Sequence, residues 1–274
     1  MSFPSEFLPD QTQNGKLVGK PREGVCGLYE ATAKQYYPIG TEVELYGRKW
    51  VYCRAHEAIT LPHRGSPNLV QYPWIANSPY SLKGLETDSR HVTAAGLKKM
   101  TIEADDYQQD NSGLAMVKNG YTGGHAVIFF DSDLIATIRI TGSDICIADP
   151  DSAANLDMVI YFDDPLPTAL VAASHIDVYP SPYIAQGNSN SGTAYSSFTV
   201  VPMIAVPAYY FFWGQVKGPA WVTPNAGITA SKVRDVAFHT NGTILAYVAD
   251  YQRAGYIIHK GDGSADDALI MLDL

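Results

Sequence analysis

The sequence predicts an all-β protein made of antiparallel β-sandwich or barrel modules with an extended N-terminal arm. Apolar and polar residues alternate in many short segments, which is the pattern of half-buried strands. Turn residues separate these segments at intervals of about 8–12 residues, as in sandwiches and barrels. The 274 residues also include 23 glycines and 17 prolines, which disfavour long helices. We therefore expect less than about 10% helix.

The arm is predicted over residues 1–22. Prolines interrupt this largely polar segment, whose large apolar residues include Phe3, Phe7 and Leu8, and neither strand nor helix periodicity is present. We expect the arm to anchor the chain to a partner rather than to join its own core. A frayed terminus is the alternative.

Residues 23–186 are predicted to form a β-rich domain. Alternation over 41–46 and 49–54, with a turn at Gly47-Arg48, indicates a hairpin. Residues 60–95 interrupt the pattern with prolines, glycines and the irregularly spaced aromatics Tyr72, Trp74 and Tyr80. Loops of this length are often interaction surfaces, so these three residues are candidate contacts. The further strands predicted in this domain are 97–104, 114–118, 125–130, 134–141, 144–148, 158–162 and 175–179.

Residues 187–274 are predicted to form a C-terminal β region packed on this domain. The polar run 187–192 is predicted to be an exposed loop between the two. Residues 198–213 are strongly apolar and indicate strands bent at Pro202 and Pro207. Asn241-Gly242 lies between alternating segments and predicts a type I′ hairpin. Segments 256–260 and 268–274 are the last predicted strands.

Composition argues against several classes of protein. The net charge is −9 and no basic run is longer than Lys98-Lys99, so nucleic-acid binding is not expected. No apolar stretch reaches the roughly 18 residues of a membrane helix. The N-terminus lacks the pattern of a secretory signal, so we expect synthesis in the cytoplasm. Cys26, Cys53 and Cys146 form no C-x-x-C pair and are expected to be buried apolar residues.

Candidate catalytic and metal-binding residues are few. The seven histidines show no metal-ligand spacing; His125 is a candidate general base, with an edge-of-strand residue as the alternative. The aspartate pairs Asp131/Asp133 and Asp149/Asp151 fit turns, although a calcium site or acid–base work on glycosides is possible for such pairs. No nucleotide-binding motif occurs. We therefore expect a protein that is not an enzyme and needs no cofactor or metal.

The aromatic run 209–213 is the strongest remaining signal for function. Alternate rings of a strand point to opposite faces, so one face of this run could lie on the core while the other meets a partner. Tyr209, Phe211 and Trp213 are therefore candidate contacts. The alternative is a strand buried on both faces within one monomer.

Four segments carry a resemblance to a known family: 206–222 (VPAYYFFWGQVKGPAWV), 121–127 (YTGGHAV), 164–170 (DPLPTAL) and 254–274, which begins AGYII. They resemble a family of tailed-bacteriophage virion proteins that are often encoded beside the major capsid protein and act as capsid decoration or cement subunits. The resemblance implies a structural protein on the capsid surface that bridges major capsid proteins and self-associates as a homotrimer. It supplies no catalytic residue.

Two rival functions remain open. The first is a carbohydrate-binding β module or a glycosidase domain of a phage tail spike or fibre, in which aromatic residues and aspartate pairs would form a sugar groove. The second is an enzyme whose site is assembled from residues distant in the sequence.

Overall fold

The computed structural model confirms the all-β class. It describes residues 12–13, 16–17, 19–21, 23–24, 26–69, 82–86, 94–104, 118–130, 134–145, 147–148, 156–171, 174–189, 197–225, 228, 234–259 and 269–274. Within these ranges there are eighteen strands and no helix, and hence no helix that could span a membrane. The strand pairs are antiparallel with one exception, between residues 16–17 and 42–45.

The chain divides into two compact units. Val70–Ser181 forms one unit, called here the inserted unit, and the segments Phe3–Leu69 and Pro182–Leu274 together form the other, the flanking unit. This division differs from the predicted boundary between residues 186 and 187.

The polar run that suggested a boundary at residue 187 is tied into the flanking unit. Ser66 Oγ donates a hydrogen bond to the Gly187 carbonyl at 2.7 Å, and Gly187 N donates to the Pro67 carbonyl at 2.9 Å. Ser189 is buried. The described start of this run, Gly187–Ser189, is therefore a packed segment rather than an exposed linker.

The flanking unit is built on an eleven-stranded sheet. Its strands are β1 (Thr12–Gln13), β2 (Lys16–Leu17), β3 (Glu42–Leu45), β4 (Arg48–Arg54), β5 (Ser66–Pro67), β13 (Phe198–Pro202), β14 (Phe211–Trp221), β15 (Asp235–Phe238), β16 (Ile244–Ala246), β17 (Arg253–His259) and β18 (Leu269–Asp273). Their order is β1-β2-β3-β4-β14-β18-β17-β15-β16, and β13 lies between β14 and β5. The long strand β14 therefore joins the two halves of the sheet.

The inserted unit is built on a seven-stranded antiparallel sheet. Its strands are β6 (Leu82–Glu86), β7 (Lys99–Ala104), β8 (His125–Phe129), β9 (Ile135–Ser143), β10 (Ile147–Ala148), β11 (Leu156–Phe162) and β12 (His175–Tyr179). The order is β10-β11-β9-β8-β12-β6, with β7 on β11. Buried side chains such as Ile102, Ile128, Ile140, Ile160 and Val178 form its core.

The hairpin predicted at 41–54 is present as β3 and β4. The register pairs Leu45 with Arg48, which leaves Tyr46 and Gly47 as the two turn residues. Both have positive φ angles, 54° and 72°, so the turn is of type I′. It lies one residue earlier than the predicted Gly47-Arg48 turn.

The hairpin at Asn241-Gly242 has a different turn from the predicted type I′. Gly242 has a φ of 71°, but Asn241 is not in the left-handed region. Gly242 N donates to the His239 carbonyl at 2.8 Å, and His239 N donates to the Thr243 carbonyl at 2.7 Å. These bonds define a three-residue loop, a type I turn followed by a left-handed glycine.

The predicted arm over residues 1–22 is corrected in its second half. Thr12–Gln13 pairs with Lys16–Leu17, and Lys16 pairs with Glu42 of β3. The Leu17 side chain is buried. Residues 12–13 and 16–17 are therefore strands at the edge of the sheet, and Leu17 belongs to the core of the chain itself.

The predicted loop over residues 60–95 is also corrected. It contains β5, which pairs with β13 of the flanking unit, and β6, which pairs with β12 of the inserted unit. The boundary between the units falls inside it, after Leu69. It is therefore not one continuous loop.

A carboxylate cap closes the loop that precedes β3. Glu30 accepts hydrogen bonds from Gly27 N at 2.9 Å and from Gly24 N at 2.9 Å. Both bonds favour the ionised form, so the backbone donors of Gly27 and Gly24 lower the pKa of Glu30 below its usual value.

We expect this cap to weaken in acid. Because the pKa of Glu30 is depressed in the folded chain, its contribution is present above its unfolded pKa, near 4.5, and disappears as the pH falls through the folded value. Glu30→Gln keeps an acceptor oxygen but does not titrate. Melting temperatures from pH 7 to pH 3 should therefore fall more for the native chain than for Glu30→Gln; parallel curves would contradict this assignment.

Candidate functional site

The structure separates the nine predicted contact residues into three groups. Six lie outside the described residues, and their role stays a prediction: Phe3, Phe7, Leu8, Tyr72, Trp74 and Tyr80. Tyr209 is 55% exposed, whereas Phe211 and Trp213 are 3% and 0% exposed. For Phe211 and Trp213 the prediction of a contact surface is therefore corrected.

Phe211 and Trp213 belong to a buried aromatic cluster. The Tyr52 ring stacks on Phe211 at 5.9 Å and lies 5.1 Å from the Trp213 ring, which is 5.3 Å from Tyr37. Trp213 Nε1 donates to the Cys26 carbonyl at 3.1 Å. Burial raises the pKa of Tyr52, which keeps its phenol neutral. The cluster is core, because segments before β3 cover this face of β14.

Tyr209 lies on a tight turn just before β14. Tyr210 N donates to the Pro207 carbonyl at 3.2 Å, and Tyr209 has a φ of 66°. An i to i+3 bond with a positive φ at the third residue alone defines a type II turn, where glycine is preferred. A tyrosine in the left-handed region costs about 1–2 kcal/mol relative to glycine.

The turn is fixed to the end of β4. Tyr209 N donates to the Ala55 carbonyl at 3.0 Å, and Ala55 N donates to the Tyr210 carbonyl at 2.9 Å. The backbone of the turn at Tyr209 and Tyr210 is therefore held against the end of β4 by two hydrogen bonds. Strained residues that are held in this way are concentrated at functional sites.

Two cationic or titratable side chains flank the Tyr209 ring. The Arg54 guanidinium lies over the ring with its carbon 5.6 Å from the centroid. The His56 ring is perpendicular to it at 6.0 Å. Burial and then the charge of Arg54 lower the pKa of His56, while the neighbouring Glu57 opposes them. The group Arg54, His56 and Tyr209 is called here the Tyr209 site.

A second surface lies on the outward face of β14, β18 and β17. Trp221 is opposite Leu269, and Pro219 is opposite Met271, which is opposite Tyr256. Residues directly opposite on neighbouring strands share a face. Trp221, Leu269 and Tyr256 are 37%, 37% and 43% exposed. These five residues are called here the outer face.

The core lies on the other side of the same strands. Ala220, Ile270 and Leu272 alternate with the residues of the outer face and are buried. The strands β14 and β18 are therefore apolar on both sides at this point, and among the described residues only one side packs into the core.

Charged residues border one end of the outer face. Arg253 lies between two carboxylates, with Nη2 2.9 Å from Asp235 Oδ1 and Nη1 3.7 Å from Asp273 Oδ2. Lys217 Nζ is 3.9 Å from Asp273 Oδ1. These side chains are half-exposed, so the pairs add little stability but give the face a polar rim of both charges.

His63 borders the other end. Its ring is 5.2 Å from that of Trp221, and its backbone φ is 60°. Burial lowers the pKa of His63, so the imidazole next to Trp221 is neutral at pH 7.

The other sequence-based candidates lie elsewhere. His125 is exposed at the start of β8, where its ladder partners are Arg139 and Tyr179. Cys26 and Cys53 are buried as predicted, and burial raises the pKa of both thiols.

The residues of the predicted metal alternatives are not described. Asp131, Asp133, Asp149, Asp151 and Cys146 lie outside the described ranges. Within those ranges, no cluster of three or more histidine, cysteine or acidic side chains could hold a metal ion. The calcium alternative therefore stays a hypothesis.

The sequence analysis did not identify most residues of the Tyr209 site or of the outer face. Arg54 and His56 gave no signal, because they are brought to Tyr209 by long-range backbone bonds. The outer face did leave a signal: residues 269–272 are Leu-Ile-Met-Leu, apolar at every position. A strand that is apolar on both faces has two surfaces to cover.

Comparison of the chain with family models, with curated proteins and with solved structures finds no match.

Proposed function

We propose that this chain is a structural subunit of a tailed-bacteriophage virion that binds the outside of the capsid as a decoration or cement protein. Two things support the proposal: the resemblance carried by the four segments quoted above, and the outer face. The outer face is the observation that carries it. Exposed apolar patches with polar rims are typical of protein–protein contacts.

The chemistry of the outer face suits docking on another protein. Tryptophan, tyrosine and methionine are enriched in the centres of interfaces, and all three occur here as Trp221, Tyr256 and Met271. Strands fix their positions, so little side-chain or backbone order has to be gained on binding. Arg253, Asp235, Asp273 and Lys217 would border the contact at one end and help to set its register.

In this proposal the partner is the major capsid protein, and the subunit stabilises the shell by bridging neighbouring copies. Self-association as a homotrimer is part of the proposal and would place several outer faces around one shell position. The mass of the free protein, and the number of copies bound per shell, would test the trimer separately from capsid binding.

The central test is co-sedimentation of the purified chain with empty shells of the major capsid protein whose gene, as the resemblance implies, neighbours the gene of this chain. Leu269→Lys places a charge in the outer face opposite Trp221 and should weaken binding at least about tenfold, because a desolvated charge would lie in the contact. Ile135→Lys is the matched control: it is an exposed apolar residue of a strand in the inserted unit.

The outcomes separate clearly. Saturable binding that Leu269→Lys weakens and Ile135→Lys preserves supports the proposal. Absence of binding by the native chain overturns the capsid role, and equal binding by both variants overturns the outer face as the contact. Both variants should melt close to the native temperature, since both positions are exposed.

A further inference from the structure

The proposed contact through the outer face gives no role to the Tyr209 site. The two surfaces have different chemistry: the outer face is mainly apolar, whereas the Tyr209 site combines one exposed ring with a guanidinium and an imidazole. The type II turn presents this ring at a position where glycine would be less strained. Because this strained, exposed ring lies beside both a guanidinium and an imidazole, we expect it to contact something outside the chain.

The polar groups around the ring indicate what it contacts. Arg54 provides planar, paired N–H donors that match a carboxylate. The His56 ring lies perpendicular to the Tyr209 ring with 6.0 Å between the centroids, and its nitrogens are further polar groups of the site. An exposed aromatic ring offers a flat apolar surface, on which the C–H face of a sugar ring packs well. The combination suits a ligand that has both an apolar ring face and an acidic group.

We propose that Arg54, His56 and Tyr209 form a binding site for an acidic saccharide, with the sugar ring on Tyr209 and its carboxylate on Arg54. The site goes beyond the proposed capsid contact: it would allow the protein to hold a surface polysaccharide while the outer face holds its protein partner.

A group of linked polar side chains that begins at Glu57, next to His56 in the sequence, would offer hydrogen bonds to sugar hydroxyls. Glu57 follows His56 and accepts from Asn188 N at 2.7 Å, and Asn188 Nδ2 donates to Thr60 Oγ1 at 3.2 Å. A carboxylate, an amide and a hydroxyl are therefore linked beside His56. The amide and the hydroxyl can each donate to or accept from a sugar hydroxyl, and the ionised carboxylate can accept.

Tyr46 offers a matched control within the same unit. It is also exposed, has a left-handed φ of 54°, and has a cation over its ring, Lys20 Nζ at 5.5 Å from the centroid. It differs in its environment, because it lies in the type I′ turn between β3 and β4. Glycine is accepted in both turns, so Tyr209→Gly and Tyr46→Gly should both fold.

The test is calorimetric titration of the full chain with two acidic probes, a galacturonic-acid tetramer and sialyllactose, and with their uncharged counterparts, a galactose tetramer and lactose. We expect saturable binding of at least one acidic probe and at least tenfold weaker binding of its neutral counterpart. Tyr209→Gly should weaken binding at least tenfold, and Tyr46→Gly should leave it unchanged. Arg54→Gln should remove the preference for the acidic probe.

Each other result overturns the proposal. Absence of saturable binding to both acidic probes at millimolar concentration rules out the site as described, and equal affinity for acidic and neutral probes rules out the role of Arg54. Loss of binding in both glycine variants assigns the effect to turn geometry rather than to Tyr209. If Tyr209→Gly lowers shell occupancy and no probe binds, the site contacts protein. Shell binding by the native chain tests the capsid proposal independently.

Discussion

Trp213→Ala is expected to lower the free energy of unfolding by about 3–5 kcal/mol, because it empties a fully buried site. The Trp213 ring lies 5.1 Å from Tyr52 and 5.3 Å from Tyr37, and its Nε1 donates to the Cys26 carbonyl. Removal of the indole therefore creates a cavity and leaves a buried carbonyl without its donor. No other single substitution in the aromatic run should cost more.

The matched control for this prediction is Trp221→Ala. Trp221 is on the same strand but 37% exposed, so its loss should cost less than about 1–2 kcal/mol. Denaturant unfolding monitored by circular dichroism would measure both values. Similar costs for the two variants would contradict the assignment of Trp213 to the core and would restore it as a candidate contact.

The contrast between Trp213 and Trp221 shows where sequence reasoning ended. Alternation along 209–213 correctly predicted rings on two faces of a strand, but it could not say what covers each face. The cover for Trp213 comes from Cys26 and Tyr37, which are distant in the sequence. The local sequence pattern therefore predicted the strand. That both of its faces are buried follows only from its tertiary contacts.

Turns and hairpins were predicted best because their determinants are adjacent residues. The β3–β4 hairpin followed from alternation and one glycine, with an error of one residue at the turn. The turn at Gly242 was predicted at the correct place but with the wrong type. A two-residue type I′ turn and a three-residue loop that ends in a left-handed glycine can both contain Asn-Gly. Hydrogen bonds between His239, Gly242 and Thr243 decide between them.

The local sequence pattern did not predict that the segments of the flanking unit lie on both sides of the inserted unit along the chain. The sheet of the flanking unit uses strands on both sides of Val70–Ser181, and β5 pairs with β13 across that insertion. A polar run at 187–192 resembled a linker because its residues favour turns. Its described part, Gly187–Ser189, is packed in the flanking unit instead, bound through Gly187 to Ser66 and Pro67.

Of the three residues of the Tyr209 site, the sequence analysis selected only Tyr209 as a candidate contact. Tyr209 was selected for its place in an aromatic run, and it is exposed as required. Arg54 and His56 come from the end of β4, whose sequence reads only as a strand. The bonds between Ala55 and the turn at Tyr209 and Tyr210 bring them together, which is information that no spacing in the sequence contains.

The second large effect is expected at Gly255, in the strand that carries Tyr256 of the outer face. Gly255 has a φ of 146°, a conformation that side chains rarely adopt. A Cβ there would overlap the Met271 carbonyl oxygen and lie 2.9 Å from the carbonyl carbon. Because these atoms belong to the backbone of β18, relief requires the β17–β18 ladder to separate.

Gly255→Ala should therefore lower the free energy of unfolding by about 2–5 kcal/mol, the sum of backbone strain and overpacking. Gly47→Ala is the control, since Gly47 has a φ of 72° but no atom within 4 Å of the added methyl group. It should lose only the strain, about 1–2 kcal/mol. Denaturant titrations of the two variants beside the native chain would measure the difference. Equal losses would contradict this prediction. They would mean that β17 can move away from Met271 at little cost in free energy, so that Tyr256 does not need the close approach of β17 and β18 to keep its place in the outer face.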